Sequence, residues 1–246
     1  MEEVELPHRG VLAATAPITI FPSASFIGKA PFARGYVDVA TDAPIASFMA
    51  ASLRTTTGLP RPGIFVKGVA LKLVFEDERE GRITDVYWVP VSELTEAQLN
   101  KVPLLTSDLD FASPPMPEIA TSEAAATVLA QAIDVMGQMG ARVPQSRRAS
   151  ADVAGRTHTI GVRTGGGDFG FYMADGVLRV EPGMPAAPEF VMATEDPQIF
   201  LDWVRDGSLT DAVVEGMLWL PHRDAFRILP ILDRLPRSIR RDLRDK

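Results

Sequence analysis

The sequence contains no cysteine. Disulfide scaffolds, Cys-bearing zinc sites, iron–sulfur clusters and thiol nucleophiles are therefore excluded. Histidine is scarce too. His8, His158 and His222 lie far apart, and no H-x-x-x-H or H-E-x-x-H spacing links them, so no metal or other cofactor is expected. No apolar run approaches the roughly 20 residues that a membrane-spanning helix needs. Met1-Glu2-Glu3-Val4-Glu5 is acidic where a secretory signal is basic and then apolar, so a soluble cytoplasmic protein is expected. Basic surface is lacking overall: 25 Lys and Arg stand against 32 Asp and Glu, a net charge of -7. A general nucleic-acid binder needs the opposite balance, so no nucleic-acid partner is expected.

Familiar catalytic signatures are missing as well. No G-x-S-x-G nucleophile elbow occurs. Gly165-Gly-Gly-Asp-Phe-Gly170 matches G-x-G-x-x-G in letters, but a dinucleotide site needs a helix straight after the glycines. Here Phe171-Tyr-Met173 and Asp175-Gly176 follow, which reads as a strand and a hairpin turn. Asp38 and Asp85 fall in apolar strands, and alternation points them to solvent. No catalytic residue is assigned.

What is present is ordinary globular composition: 246 residues, 46% hydrophobic and 23% charged, enough for one large domain or two small ones. Ser113-Pro-Pro-Met-Pro117 cannot continue a helix and reads as a linker. The expected division is an α/β domain over 1–112, the linker over 113–117, and a second domain with a helical tail over 118–246. In the second part, Glu118 to Met139 is Ala-rich and helical, with Gly140 as its stop. Strands follow at His158–Val162, Phe169–Met173, Val177–Val180 and Glu189–Ala193. Ile199, Phe200, Trp203 and Val204 share one helical face, and Gly207 ends that helix. Val213-Val214 and Met217–Leu220 read as strand. Asp224 to Leu235 reads as a helix that Pro230 kinks or splits. In the first part, Ile45, Phe48, Met49 and Leu53 fit an amphipathic helix after Pro44. Ile64–Phe75 and Ile83–Val91 read as strands, and Glu93–Leu99 as a short helix. Ala40-Thr41…Pro44 echoes Ala193-Thr194…Pro197, each leading to a glycine-led apolar strand at Gly68 or Gly216. That echo suggests two related halves in tandem. Strand, Pro-capped helix and strand is also a common arrangement, and both readings stay open.

Ala174-Asp-Gly-Val-Leu-Arg-Val-Glu-Pro-Gly183 and Ala187-Pro-Glu-Phe-Val-Met-Ala-Thr-Glu-Asp-Pro197 carry a resemblance. With Phe200–Gly207, Gly216–Leu220 and Phe226–Leu235, the stretch from Thr121 to Leu235 resembles the sterol carrier protein 2-like domain family. It departs from that pattern at His222-Arg223 and at Pro230. The resemblance implies an α+β fold, a mostly antiparallel sheet covered by helices. If the echo is a true repeat, the first half is a degenerate copy of this domain; otherwise it is unrelated. It also implies an apolar cavity between sheet and helices that takes a lipid, sterol or isoprenoid-like molecule.

Phe200, Trp203, Val204, Met217, Trp219, Phe226, Leu229 and Leu232 are the candidate lining residues. For any one of them taken singly, ordinary core packing is the favoured reading. Trp203 and Trp219 stand out, because a buried indole N–H needs an acceptor. The leading functional expectation is non-enzymatic binding, with or without transfer, of a hydrophobic ligand. The alternatives are a cofactor-free enzyme or accessory acting on a hydrophobic substrate, and an interaction or homodimerisation module. Arg234, Arg237, Arg240, Arg241 and Arg244 form a basic tail. It reads as a solvated, salt-bridged helix, with weak membrane-surface contact as the other reading.

Overall fold

The computed structural model describes residues 7–15, 32–39, 48–58, 63–221 and 223–243. Its elements form two compact units, Met1–Pro114 and Pro115–Lys246. Both strands and helices are present, in two sheets, and the fold class is α+β.

The first unit is a closed barrel. Strands β1 (Arg9–Thr15), β2 (Ala33–Asp38), β3 (Phe48–Leu53), β4 (Ala70–Phe75) and β5 (Val86–Pro90) follow the order β1-β2-β3-β5-β4, and β1 closes on β4. All pairs are antiparallel except β3 with β5, which meet in parallel at Leu53 and Trp88. Period-two alternation decides what faces the lumen. Ala33 and Val37 of β2 turn inward, while Arg34, Tyr36 and Asp38 are exposed. The lumen holds Leu12, Leu53, Leu71, Leu73 and Trp88. On the outer face of β4 and β5, Val74, Tyr87 and Val89 are covered by Leu104 and Leu109. A short helix, α1 (Glu96–Asn100), starts at a Thr95 cap. Arg54 ties this layer together. Its guanidinium lies 3.9 Å from the Tyr87 ring centroid and bonds Glu76 at 2.8 Å.

Two expectations for this unit change. Phe48 to Leu53 is a strand, not the end of a helix, because it pairs residue for residue with Ala33–Asp38. An apolar run this short fits either period, and barrel pairing selects the strand. Pro44 and Ile45 lie outside the described residues, as does the Ala40-Thr41 end of the echo. Asp85 is not in a strand. It closes the β4–β5 turn by accepting from the Glu80 and Arg82 amides at 2.7 and 2.8 Å. The Arg82 amide leads in holding its carboxyl below the usual carboxylate range.

The second unit begins with α2 (Glu123–Arg142), capped by Ser122 Oγ, which accepts from the Ala125 amide at 3.1 Å. Gly140 does not stop this helix. A Cβ there would collide with the Leu178 carbonyl, so the glycine lets α2 press onto the sheet. A further helix, α3 (Arg147–Val153), follows a Ser146 cap. The sheet is β6 (His158–Thr164), β7 (Gly167–Ala174), β8 (Val177–Pro182) and β9 (Phe190–Thr194), ordered β8-β7-β6-β9. Asp175 and Gly176 both have positive φ, 52° and 76°, as the tight β7–β8 hairpin requires. The Gly165–Gly170 motif occupies the β6–β7 hairpin, where Thr164 Oγ1 donates to the Gly167 carbonyl at 2.8 Å. No helix follows it, so it is a turn and not a phosphate cradle.

Helix α4 (Gln198–Arg205) packs its aromatic face on β7. Phe200 meets Phe169 edge-on at 5.0 Å, and Trp203 meets Phe171 edge-on at 5.9 Å. Val213-Val214 belongs to a helix, α5 (Leu209–Val214), and not to a strand. Met217–Leu220 contributes one antiparallel bridge, Trp219 with Ala193, rather than a strand. Helix α6 (Arg223–Phe226) precedes α7 (Leu229–Leu243). Pro230 sits in the first turn of α7, where its missing N–H removes no helical bond, so the helix continues past Leu235. The units thus differ in topology, a closed barrel and an open four-stranded sheet. The pieces of the echo differ as well: a strand stands where the first copy needs its helix, and Gly216 opens no strand.

Candidate functional site

Of the residues expected to line a cavity, Val204 borders the cleft described below. Phe200, Trp203, Phe226, Leu229 and Leu232 are buried as packed core of the second unit. Met217 is 51% exposed on the outside. Trp219 is partly exposed on the bridging segment beside β9. The Phe169, Phe171, Phe200 and Trp203 rings meet edge to face between β7 and α4. The Nε1 atoms of Trp203 and Trp219 are buried and find no acceptor among the described residues.

Val204 lies elsewhere. It is half-buried and lines a half-open cleft of about 370 Å³, where the C-terminal ends of α2 and α4 meet the middle of α7. Helix α2 supplies Val135, Gln138, Met139 and Arg142. The end of α4 supplies Val204, Arg205 and Asp206, and α7 supplies Pro236, Ile239 and Arg240. The i, i+4 and i, i+3 spacings place Val135 with Met139, and Pro236 with Ile239, on one face of their helices. The floor is therefore apolar: Val135, Met139, Val204, Pro236 and Ile239. Apart from Gln138, the remaining lining is charged. The Arg240 guanidinium donates to the Val204 carbonyl at 2.6 Å and pairs with Asp206 at 3.3 Å. Arg142 and Arg205 have no side-chain acceptor among the described residues.

Helix α7 is fixed from behind by Asp233, which is 8% exposed. Its carboxylate accepts from Ser208 Oγ at 2.9 Å and from the Leu209 and Thr210 amides at 2.7 and 3.0 Å. These amides open α5, whose first N–H groups have no helical partner. At the far end of α7, Asp242 accepts from Ser146 Oγ and the Arg148 amide, both at 2.9 Å. The arginine-rich tail is thus partly spoken for. Arg234 pairs with Asp152 at 3.0 Å and Arg240 with Asp206, while Arg237 and Arg241 are exposed and Arg244 lies outside the described residues.

Other chemistry is sparse. Among the described residues no three His, Asp or Glu side chains gather as a metal site. His158 Nδ1 lies 3.0 Å from Glu189, and His222 is outside the described residues. No described helix is long and apolar enough to cross a membrane.

These features define an α+β protein of two units with an apolar-floored cleft in the second. No family model and no curated protein matches the chain. Among solved structures, it is similar at 12% identity and a TM-score of 0.28 to a conserved hypothetical protein of Thermus thermophilus, described there as a suggested sterol carrier protein. The match covers 52% of this chain and 94% of that one.

Proposed function

We propose that the second unit binds a hydrophobic small molecule, and that its binding place is the cleft between α2, α4 and α7. The observation that carries this reading is the apolar floor within about 370 Å³ of half-open space. Ligand sites are concave, mostly apolar and usually preformed, with volumes of roughly 300–1,000 Å³. Each 100 Å² of ligand apolar surface withdrawn from water contributes about 2.5 kcal/mol. Met139 gives the floor an adaptable side chain. The resemblance to sterol carrier protein 2-like domains supports the ligand class. The cleft is preferred to the space between sheet and helix because the Phe169, Phe171, Phe200 and Trp203 rings pack against one another there.

The test is saturable binding of the neutral fluorophore N-phenyl-1-naphthylamine to the full chain, together with native mass spectrometry for co-purifying lipid. Val204→Trp fills the cleft from its wall and weakens the probe by about tenfold or more. No saturable binding, or equal binding by a well-folded Val204→Trp variant, overturns the reading.

A further inference from the structure

The cleft is not electrically neutral. Three guanidinium groups, Arg142, Arg205 and Arg240, face it against the single lining carboxylate of Asp206. Asp134 lies outside the lining and accepts from the Gln138 side-chain amide at 2.8 Å. Asp206 is itself committed to Arg240 at 3.3 Å. Two cations, Arg142 and Arg205, therefore have no ion-pair partner among the described residues and lie beside an apolar floor, in a chain whose net charge is -7.

Helix dipoles explain part of this. Arg142 ends α2 and Arg205 ends α4, and a helix C-terminus favours a cation. The dipole accounts for each arginine alone. It does not account for two helices delivering their terminal arginines to one apolar cleft while a third arginine, on α7, is already fixed by a carbonyl and a carboxylate. A guanidinium is a planar fork of donors suited to an oxyanion, and it holds one better than an ammonium does. Arg240 is less available, since its donors are engaged with Val204 and Asp206.

We propose that the cleft selects an amphipathic anion: an apolar chain or ring system on the Val135, Met139, Val204 and Ile239 floor, with one oxyanion head held by Arg142 and Arg205. The proposal rests on the hydrophobic-ligand reading above and adds the charge of the ligand to it. The head is a carboxylate or a phosphate, since both present the oxygens that a guanidinium fork recognises. Binding is then two-part. The floor sets affinity for chain length, and the arginines set the preference for a negative head. That preference weakens with salt because both arginines are exposed, whereas the apolar part does not.

The experiment is calorimetric titration of the full chain with four ligands that share one tail: decanol, decylamine, decanoate and decyl phosphate. Decanoate, decyl phosphate or both bind about tenfold tighter than decanol at low salt, and decylamine binds weakest. Raising salt to about 0.5 M removes most of that preference. The double variant Arg142→Gln, Arg205→Gln keeps decanol binding and brings the anions to within about twofold of it. Both positions are exposed, so the variant retains its helical circular dichroism, and losing the two helix-end charges lowers the thermal midpoint by only a few degrees. Equal binding of all four ligands overturns the anion proposal and leaves the hydrophobic-ligand reading standing. An anion preference that persists in the double variant also overturns it. Absence of binding by any of the four overturns both.

Discussion

Asp233→Ala is the substitution with the largest predicted consequence outside the apolar core. The carboxylate is 8% exposed and accepts three hydrogen bonds, from Ser208 Oγ and from the Leu209 and Thr210 amides. Leu209 and Thr210 are themselves 0% and 1% exposed, so water does not readily replace the lost acceptor. Each buried amide left unpaired costs about 1–3 kcal/mol. Ser208 keeps its other role, accepting from the Asp211 amide at 3.1 Å, so the α5 cap is not lost entirely. The expected loss is about 4 kcal/mol. For a unit of this size that is roughly 12 °C in Tm. Asp233→Asn keeps one acceptor oxygen but turns an NH₂ towards another donor, and loses about 2 kcal/mol. The assay is thermal melting followed by the far-UV helical signal, which reports mainly the second unit because α2 to α7 all lie there. A shift under about 3 °C for Asp233→Ala would refute the clamp, since it would mean that water satisfies those amides.

Three further outcomes are expected. Lys72 of β4 is 1% exposed, and no ion pair holds it among the described residues, so Lys72→Met raises stability by about 1 kcal/mol in urea titration. Burial, with Arg9 second, pushes its ammonium below the usual value of 10.5. Between the folded pKa and 10.5 the unfolded chain holds the extra proton, so this contribution to stability rises with pH through that window, and Lys72→Met flattens it. Asp242 behaves oppositely. The Arg148 amide foremost, then the Ser146 hydroxyl, hold its carboxyl below 3.8, so its stabilisation is full above that value and lost as pH falls through the folded pKa. Asp242→Asn removes this part of the acid limb of a stability–pH curve. Phe200→Ala opens the ring cluster against Phe169 and costs about 3–5 kcal/mol, read as a lower denaturation midpoint at unchanged m-value.

The sequence revealed elements where local chemistry and tertiary packing agree. Asp175-Gly176 specified its hairpin, because few other dipeptides take positive φ at two successive residues. The Ala-rich run after the prolines announced α2. The 3.6-residue spacing of Ile199, Phe200, Trp203 and Val204 announced α4 and its buried face. Where packing overrides local preference, the local pattern misleads. Phe48–Leu53 became a strand through its barrel partner, and Val213-Val214 became helix through the Ser208 cap and the distant Asp233. The same limit applied to the candidate site. Large apolar residues at helical spacing could not tell core from cavity lining, since both require the same side chains. The cleft is built from the ends of α2 and α4 and the middle of α7, which lie many residues apart in the chain, and Arg142 and Arg205 carried no motif. One signal was available. Asp233 falls on the buried stripe of α7, between Leu232 and Leu235, and a lone carboxylate on an apolar face implies a buried partner.

The most direct test is a methyl-labelled NMR titration of the full chain with decanol, which carries no charge and so isolates the apolar floor. Binding in the cleft predicts saturable shifts at the methyl groups of Val135, Met139, Val204 and Ile239, with Leu229, Leu232 and the barrel residues Leu71 and Leu73 unmoved. Shifts confined to the Leu229 and Leu232 core, or to the barrel, or no saturable shift at all, would contradict the account.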